Sequence, residues 1–231
     1  TRIADMALYP ELRKWLEMYE ATGEFSHLLF HGNVGVGKTT AAYILAESVM
    51  DDFNVNKHVI NCAERPNIKE FKSEVQRIAT ASGGLSRFMG GNQKEIYILD
   101  EFHRLPKETQ TTLNAVLEQT EGAATCIFCV NDIKAVEPPI QSRTKKLGFD
   151  VCFYNDTRDT IKMFPYADCT LTEWKEELRR VGRVVCEKYD VKPDKKVEDK
   201  ILADKFFLSE IRSYIRALDD AYRMRDFHKK N

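Results

Sequence analysis

The chain has 231 residues, a length sufficient for one large domain or for a core domain with a smaller second domain. Of these residues 43% are hydrophobic, which is enough to form a sizeable core. Its 35 basic residues nearly balance 36 acidic ones, which excludes a uniformly basic coat protein for nucleic acid but leaves room for a local basic face. No apolar run approaches the roughly 18 residues of a membrane helix, and the N-terminal residues do not form a signal peptide. We therefore expect a soluble, cytoplasmic protein without a membrane partner.

The first two thirds of the chain alternate between predicted helices and predicted strands. Apolar side chains at helical spacing predict helices over residues 9–20, 39–50, 67–79 and 106–119. Short apolar runs predict strands over residues 27–31, 58–62, 95–100 and 124–130, and the glycines of residues 82–92 predict a loop. Strands that are apolar throughout and are separated by helices are typical of a parallel sheet. The predicted fold class is therefore α/β, with helices on both faces of the sheet.

The last third of the chain has a different pattern, because no strand is predicted after Phe153. Charged segments with helical periodicity predict helices over residues 171–189, 195–205 and 209–227. We therefore predict an α/β domain over residues 1–153 and a small all-helical domain over residues 154–231.

Cys126 and Cys129 are spaced as in many zinc sites. They lie in a predicted strand, however, where residues three apart point to opposite faces, and no second cysteine or histidine pair completes a site. The sequence favours buried thiols over zinc ligands.

A glycine-rich segment, GNVGVGKTT, follows the first predicted strand and opens the next helix. It matches G-x-x-x-x-G-K-[ST] from Gly32 to Thr39, a pattern whose backbone N–H groups surround phosphates. In this pattern the Lys38 ammonium meets the β- and γ-phosphates, and the Thr39 hydroxyl is a ligand of Mg²⁺. The alternative is a glycine turn beside a solvated lysine. The predicted phosphate-binding residues are Gly32, Asn33, Val34, Gly35, Val36, Gly37, Lys38, Thr39 and Thr40.

Two adjacent acids, Asp100 and Glu101, end the predicted strand EIYILD and begin the segment after it. The carboxyl edge of a parallel sheet is where such folds bind ligands. Asp100 is therefore a second candidate ligand of Mg²⁺, and Glu101 is the candidate base that deprotonates an attacking water. Adjacent acids at a strand end are common, so this interpretation depends on the phosphate loop. Together they predict a nucleoside triphosphatase.

Several segments, in order, resemble the AAA+ superfamily and, within it, the ATPase subunits of sliding-clamp loaders, such as the small subunits of replication factor C and their phage counterparts. These segments are HLLFHGNVGVGKTTAAYILAE, YILDEFHRLPKETQTTLNAVLEQ, TCIFCVND, PPIQSRTKKLGF and LSEIRSYIRALDDA. The resemblance implies an AAA+ P-loop domain with a helical lid, and ATP with Mg²⁺ as the ligands. It also implies a subunit that couples ATP hydrolysis to loading a sliding clamp on DNA during replication.

The resemblance assigns three further site residues. Asn131 matches sensor 1, and Arg143 matches an arginine finger that enters the nucleotide site of a neighbouring subunit. Arg212 matches sensor 2, with Arg216 as the alternative one turn later. A surface arginine in a basic patch is the other interpretation of Arg143, since Lys145 and Lys146 follow it.

The chain departs from the clamp-loader pattern in several places. Val36 replaces the usual threonine of the loop, and Thr144 replaces the cysteine of the Ser-Arg-Cys motif. The Tyr-Arg-Pro segment that flanks adenine in many clamp loaders is absent, which leaves the base specificity open. No residues remain for a C-terminal collar domain, so the chain is either a fragment or part of a protein that assembles differently.

The resemblance also implies partners, namely other AAA+ subunits, a sliding clamp and primer-template DNA. The candidate DNA-phosphate contacts, each of which is alternatively a solvated charge, are Lys72, Arg87, Arg104 and Lys107. Three apolar residues of the predicted loop, Leu85, Phe88 and Met89, either dock a partner or pack on the core. Two other functions remain open: a helicase loader or transposition regulator with the same chemistry, and a nucleotide-gated scaffold with little turnover.

Overall fold

The computed structural model describes residues 2–50, 55–64, 73, 94–119, 124–150 and 170–230. In these ranges the strands are β1 (Leu28–His31), β2 (Val55–Asn61), β3 (Lys94–Asp100), β4 (Ala124–Val130) and β5 (Lys145–Gly148). The helices are α1 (Pro10–Thr22), α2 (Lys38–Met50), α3 (Lys107–Gln119), α4 (Pro138–Ser142), α5 (Leu171–Lys188), α6 (Lys195–Ile201), α7 (Lys205–Ser209) and α8 (Ile211–Lys230).

The five strands form one parallel sheet in the order β2-β3-β4-β1-β5. The register pairs His31 with Val130 across β1 and β4, and Asn61 with Asp100 across β2 and β3. The carboxyl ends of β1, β3 and β4 therefore meet at one edge of the sheet, which is the ligand-binding edge of parallel α/β folds. The prediction of a parallel sheet flanked by helices and followed by a helical C-terminal part is confirmed.

The central strands β3 and β4 are apolar because they are buried in the core. All seven residues of β4 are buried, as are residues 96–99 of β3, and the rings of Phe102 and Phe128 meet edge to face with centroids 4.8 Å apart. Cys126 and Cys129 are buried free thiols of β4, as predicted. Burial raises the pKa of the Cys126 thiol to about 12.

Strand β5 was missed by the sequence analysis. Its first two residues, Lys145 and Lys146, are exposed and only Leu147 is buried, so the segment has no apolar run. Short lysine-bearing strands are common at sheet edges, because they prevent pairing with other chains. The two lysines taken as part of a possible basic patch therefore belong to an edge strand.

The predicted helix over residues 195–205 is two helices in the structure. Helix α6 ends at Ile201, and Asp204 caps the start of α7 by accepting the N–H of Phe206 at 2.9 Å. The predicted helix over residues 67–79, the loop over residues 82–92 and the domain boundary after Phe153 lie outside the described residues.

The chain folds into two compact units. One comprises Thr1–Trp15, Asn33–Gly37 and Phe149–Asn231, and the other comprises Leu16–Gly32 and Lys38–Gly148. In the first unit, helices α5 and α8 pack closely at Gly182, where an added Cβ would lie 2.6 Å from Cδ1 of Leu218. Among the described helices, none is both long and apolar enough to cross a membrane.

Candidate active site

The loop from Gly32 to Thr39 joins β1 to α2 and depends on glycine at two positions. Gly35 and Gly37 have φ values of +80° and +98°, a region that side-chain-bearing residues rarely adopt. A Cβ at Gly35 would lie 2.6 Å from Cγ of Glu210, and one at Gly37 would lie 2.8 Å from Cε of Met6. Glycine at these two positions lets the loop adopt a conformation in which backbone N–H groups can surround a phosphate.

The hydrophobic residues of the loop differ in environment. Val36, the departure from the clamp-loader pattern, is 3% exposed, whereas Val34 is 53% exposed. Thr40 is exposed in the first turn of α2, and Asn33 is exposed with its N–H donating to Oδ1 of Asp150 at 2.7 Å. Phosphate binding by such a loop relies on backbone groups, so a buried valine is compatible with it.

Lys38 brings together two of the predicted site residues. Its ammonium is buried and donates to the carbonyl oxygen of Gly32 at 2.7 Å and to Oδ1 of Asn131 at 3.1 Å. Lys38 and Asn131 are 93 residues apart in sequence, and the pairing of β1 with β4 makes them neighbours.

The two predicted Mg²⁺ ligands are also adjacent. The Thr39 hydroxyl donates to Oδ1 of Asp100 at 3.0 Å, and the same oxygen accepts the backbone N–H of Glu101 at 3.0 Å. Mg²⁺ prefers oxygen ligands and is commonly held by one or two of them together with substrate phosphates. The donor set present at this sheet edge therefore fits Mg²⁺.

Glu101 adopts a left-handed backbone conformation, with φ of 53°, at the start of a short 3-10 helix, Phe102–Arg104. Such a conformation costs a non-glycine residue about 1 kcal/mol or more and is concentrated at functional sites. The Glu101 side chain is 33% exposed, and its Oε2 lies 3.4 Å from Nε2 of His103 and 3.6 Å from Nε of Arg104.

His103 belongs to this cluster, although the sequence analysis gave it no role. Its side chain is 14% exposed, and its Nδ1 accepts the backbone N–H of Asn131 at 3.4 Å. Burial lowers the pKa of His103, while the Glu101 carboxylate opposes that effect. In the sequence, His103 is a single histidine two positions after the candidate base and belongs to no motif that would mark it.

The structure shows side-chain contacts for Arg143 and a backbone contact for Arg212. Arg143 ends α4, where its guanidinium contacts the Glu118 carboxylate and donates from Nη1 to the carbonyl oxygen of Pro139 at 3.1 Å. The backbone N–H of Arg212 donates to the carbonyl oxygen of Gly35 at 3.2 Å, and both Arg212 and Arg216 are exposed.

The candidate DNA contacts are only partly within the described chain. The side chains of Arg104 and Lys107 are 62% and 82% exposed, and Lys107 pairs with Glu137 at 3.2 Å. Lys72 and Arg87 lie outside the described residues, as do the apolar residues Leu85, Phe88 and Met89.

A family model described as an AAA domain of the dynein-related subfamily matches residues 27–144, more than half of the chain. The chain therefore belongs to the AAA domain family.

Its curated relatives include small subunits of replication factor C. The subunit from Natronomonas pharaonis is 32% identical over 146 residues, which cover 63% of this chain and 43% of the relative. The subunit from Methanosarcina barkeri is 29% identical over 150 residues, or 64% of this chain and 43% of the relative. The chain thus spans less than half the length of these relatives, and the predicted resemblance to clamp-loader small subunits is confirmed.

Solved structures share the fold at lower identity. A RuvB variant from Thermotoga maritima has a TM-score of 0.63 and 21% identity, covering 95% of this chain and 62% of its own. Domain III of the replication initiation protein DnaA from the same organism has a TM-score of 0.61 and 14% identity, with coverages of 100% and 90%. The Aeropyrum pernix ORC1 protein in complex with DNA has a TM-score of 0.60 and 19% identity, with coverages of 94% and 60%. These likenesses establish the fold.

Proposed function

We propose that this chain is the ATP-hydrolysing core of a clamp-loader-type AAA+ subunit, whose ATP binding and hydrolysis drive the loading of a sliding clamp on primer-template DNA. The observation that carries the proposal is the cluster at the carboxyl edge of the sheet, where Lys38 contacts Asn131 and Thr39 contacts Asp100 beside Glu101. Similarity to small subunits of replication factor C supports the choice of clamp loading.

In this proposal the nucleotide and Mg²⁺ are bound by three members of the cluster together with the glycine loop and Arg212. The backbone of the glycine loop surrounds the phosphates, and the Lys38 ammonium meets their β- and γ-oxygens. Thr39 and Asp100 hold Mg²⁺, which supplies positive charge where negative charge develops in the transition state. Arg212 contributes a further positive charge as sensor 2.

In the proposed hydrolysis step, Glu101 acts as the base. The oxygen of a water molecule attacks the γ-phosphorus, and Glu101 accepts the proton that this water loses. The bond from the γ-phosphorus to its bridging oxygen breaks, and its electron pair leaves with ADP. The Asn131 amide orients the water or the γ-phosphate during this step.

Assembly completes the site in this proposal. Arg143 enters the site of a neighbouring subunit, where its guanidinium stabilises the transferring phosphoryl group. The exposed side chains of Arg104 and Lys107 contact DNA phosphates, a sequence-independent mode of binding. In this proposed subunit, residues 1–153 form the nucleotide-binding domain and residues 154–231 form the helical lid domain.

The test is steady-state ATP hydrolysis by the wild type and by Glu101→Gln, with and without primer-template DNA and a sliding clamp. We expect DNA and clamp together to stimulate the wild type, and Glu101→Gln to lower kcat about 10²- to 10⁴-fold while fluorescent ATP analogues still bind. An unchanged kcat in Glu101→Gln contradicts the catalytic assignment. Stimulation by single-stranded DNA and a helicase indicates a helicase loader instead, and ATP binding without turnover indicates a nucleotide-gated scaffold.

A further inference from the structure

The imidazole of His103 lies between the candidate base and the end of β4. Its Nε2 is 3.4 Å from Oε2 of Glu101, and its Nδ1 is 3.4 Å from the backbone nitrogen of Asn131. With a side chain 14% exposed, the ring is largely shielded from water. It thus connects the two residues on which orientation of the attacking water depends.

The contacts of His103 determine which ring nitrogen carries the proton. The backbone N–H of Asn131 is always a donor, so Nδ1 must be the acceptor. A neutral imidazole has one N–H, which therefore lies on Nε2, the ring nitrogen that is 3.4 Å from Oε2 of Glu101. Nε2 also lies 3.5 Å from Nδ2 of Asn131, a contact without a hydrogen bond in this tautomer.

We propose that His103 is a positioning residue for hydrolysis, in which Nε2–H holds Oε2 of Glu101 while Nδ1 is anchored on the backbone of Asn131. The inference rests on the proposed function, because His103 acts only through Glu101. Asn131 directly follows β4, whose seven residues are all buried, so the anchor is attached to the packed core of the sheet. With Oε2 held, Oε1 remains available to accept the proton of the attacking water.

The expected effect is on the chemical step and not on nucleotide binding. Among the described residues, His103 has polar contacts with Asn131 and with Glu101, and none at hydrogen-bond or ion-pair distance with the loop glycines or with Thr39. A base that is misplaced by about 1 Å can lose roughly 10²-fold in rate. Removal of the imidazole should therefore lower kcat about 10- to 100-fold and leave KM for ATP within about threefold.

The experiment compares steady-state ATP hydrolysis and fluorescent ATP-analogue binding in the wild type, Glu101→Gln, His103→Leu and His103→Gln. His103→Leu removes the donor at similar volume, whereas His103→Gln offers an amide N–H near the position of Nε2. We expect His103→Gln to retain a kcat within about fivefold of the wild type and His103→Leu to show the loss. A His103→Leu kcat within twofold of the wild type, with Glu101→Gln inactive, overturns the inference alone. If wild-type hydrolysis does not depend on Glu101, the proposed function fails instead.

His58→Leu is the matched control. His58 is also partly buried, with its side chain 22% exposed, and also faces a carboxylate, with Nε2 at 2.6 Å from Oε2 of Glu95. It lies in the middle of β2, opposite Tyr97 and away from the carboxyl edge. We expect its kcat to match the wild type, and an equal loss in both leucine variants counts against a specific role of His103.

Nuclear magnetic resonance of ¹⁵N-histidine-labelled wild type tests the tautomer without a substitution. Of the five histidines, His103 should show a protonated Nε2 and an unprotonated, hydrogen-bonded Nδ1. His27, whose Nδ1 accepts the N–H of Cys126 at 3.1 Å, should show the same pattern, and only the His103 signal should vanish in His103→Gln. If the His103 signal has its proton on Nδ1, the inference is wrong whatever the kinetic result. This readout also decides the matter if His103→Leu does not fold.

Discussion

At the scale of single residues, Tyr214 on α8 has a buried phenol oxygen with no hydrogen-bond partner among the described residues. Tyr214 is fully buried on α8, and within the described part of the chain its hydroxyl finds neither donor nor acceptor. Burial raises the pKa of this hydroxyl, so it stays neutral. A buried hydroxyl without a hydrogen-bond partner costs about 1–3 kcal/mol of stability. Its removal should therefore not destabilise the fold.

We therefore predict that Tyr214→Phe leaves the free energy of unfolding unchanged or raises it by about 1 kcal/mol, as measured by urea denaturation. The matched control is Tyr222→Phe on the same helix. The Tyr222 oxygen accepts the N–H of Asp194 at 2.9 Å, so its removal should cost about 1–3 kcal/mol. A loss above about 1 kcal/mol in Tyr214→Phe would show that its hydroxyl has a partner.

The candidate site residues also differ in whether the sequence predicted them. Lys38, Thr39, Asp100 and Glu101 were predicted because a local motif or a strand end marks them. His103 was not, because one histidine carries no signal until the fold sets its ring against Asn131, 28 residues away.

At the scale of elements, Glu177 joins the N-terminal segment to α5. Its carboxylate accepts from the guanidinium groups of Arg13 and Arg180 and from the backbone N–H of Leu8, the last at 3.3 Å. Burial raises the pKa of Glu177, but the hydrogen bonds from Arg180 and the charge of Arg13 outweigh it, and the net pKa is lowered.

This shift predicts a pH-dependent stability. A carboxyl whose folded-state pKa is lowered stabilises the fold above its unfolded pKa, near 4.5, and that contribution is lost as the pH falls through the folded pKa. We expect Glu177→Gln to lower the free energy of unfolding by about 1–3 kcal/mol at pH ~7, with the difference shrinking below pH ~4.5. Urea denaturation across pH measures it, and Glu176→Gln on the same helix is the control. A difference that does not shrink in acid would contradict this role of the charge.

The sequence predicted the strands that are buried along their length. It did not predict the strand at the edge of the sheet or the break between helices α6 and α7. Strands β3 and β4 have apolar runs because they are buried, whereas β5 carries two exposed lysines. The break after Ile201 depends on the Asp204 cap, which competes with helical periodicity at short range.

At the scale of the whole molecule, the proposal requires a second subunit. Arg143 contacts Glu118 and Pro139 of its own chain, whereas a finger acts on a neighbour. Rings built from such head-to-tail contacts place part of each site on the adjoining subunit.

The prediction is that Arg143→Ala and Lys38→Ala assemblies each lack hydrolysis but recover it when mixed. At equal proportions roughly a quarter of the interfaces pair an intact Lys38 with an intact Arg143, because each interface draws its two sides independently. ATPase activity of the mixture, measured against unmixed samples at equal total protein, reports the recovery. Mixtures as inactive as their components would exclude a shared site.

By itself the sequence determined the phosphate loop, the acidic strand end and the α/β class. Each is encoded within a few consecutive residues, by glycine conformation or by the period of apolar side chains. Only the tertiary structure decided the strand order, the edge strand β5 and the contacts of Lys38 with Asn131 and of Thr39 with Asp100, residues 93 and 61 positions apart. Such contacts depend on which strands pair and in what register, and that pairing is set by burial over the whole sheet.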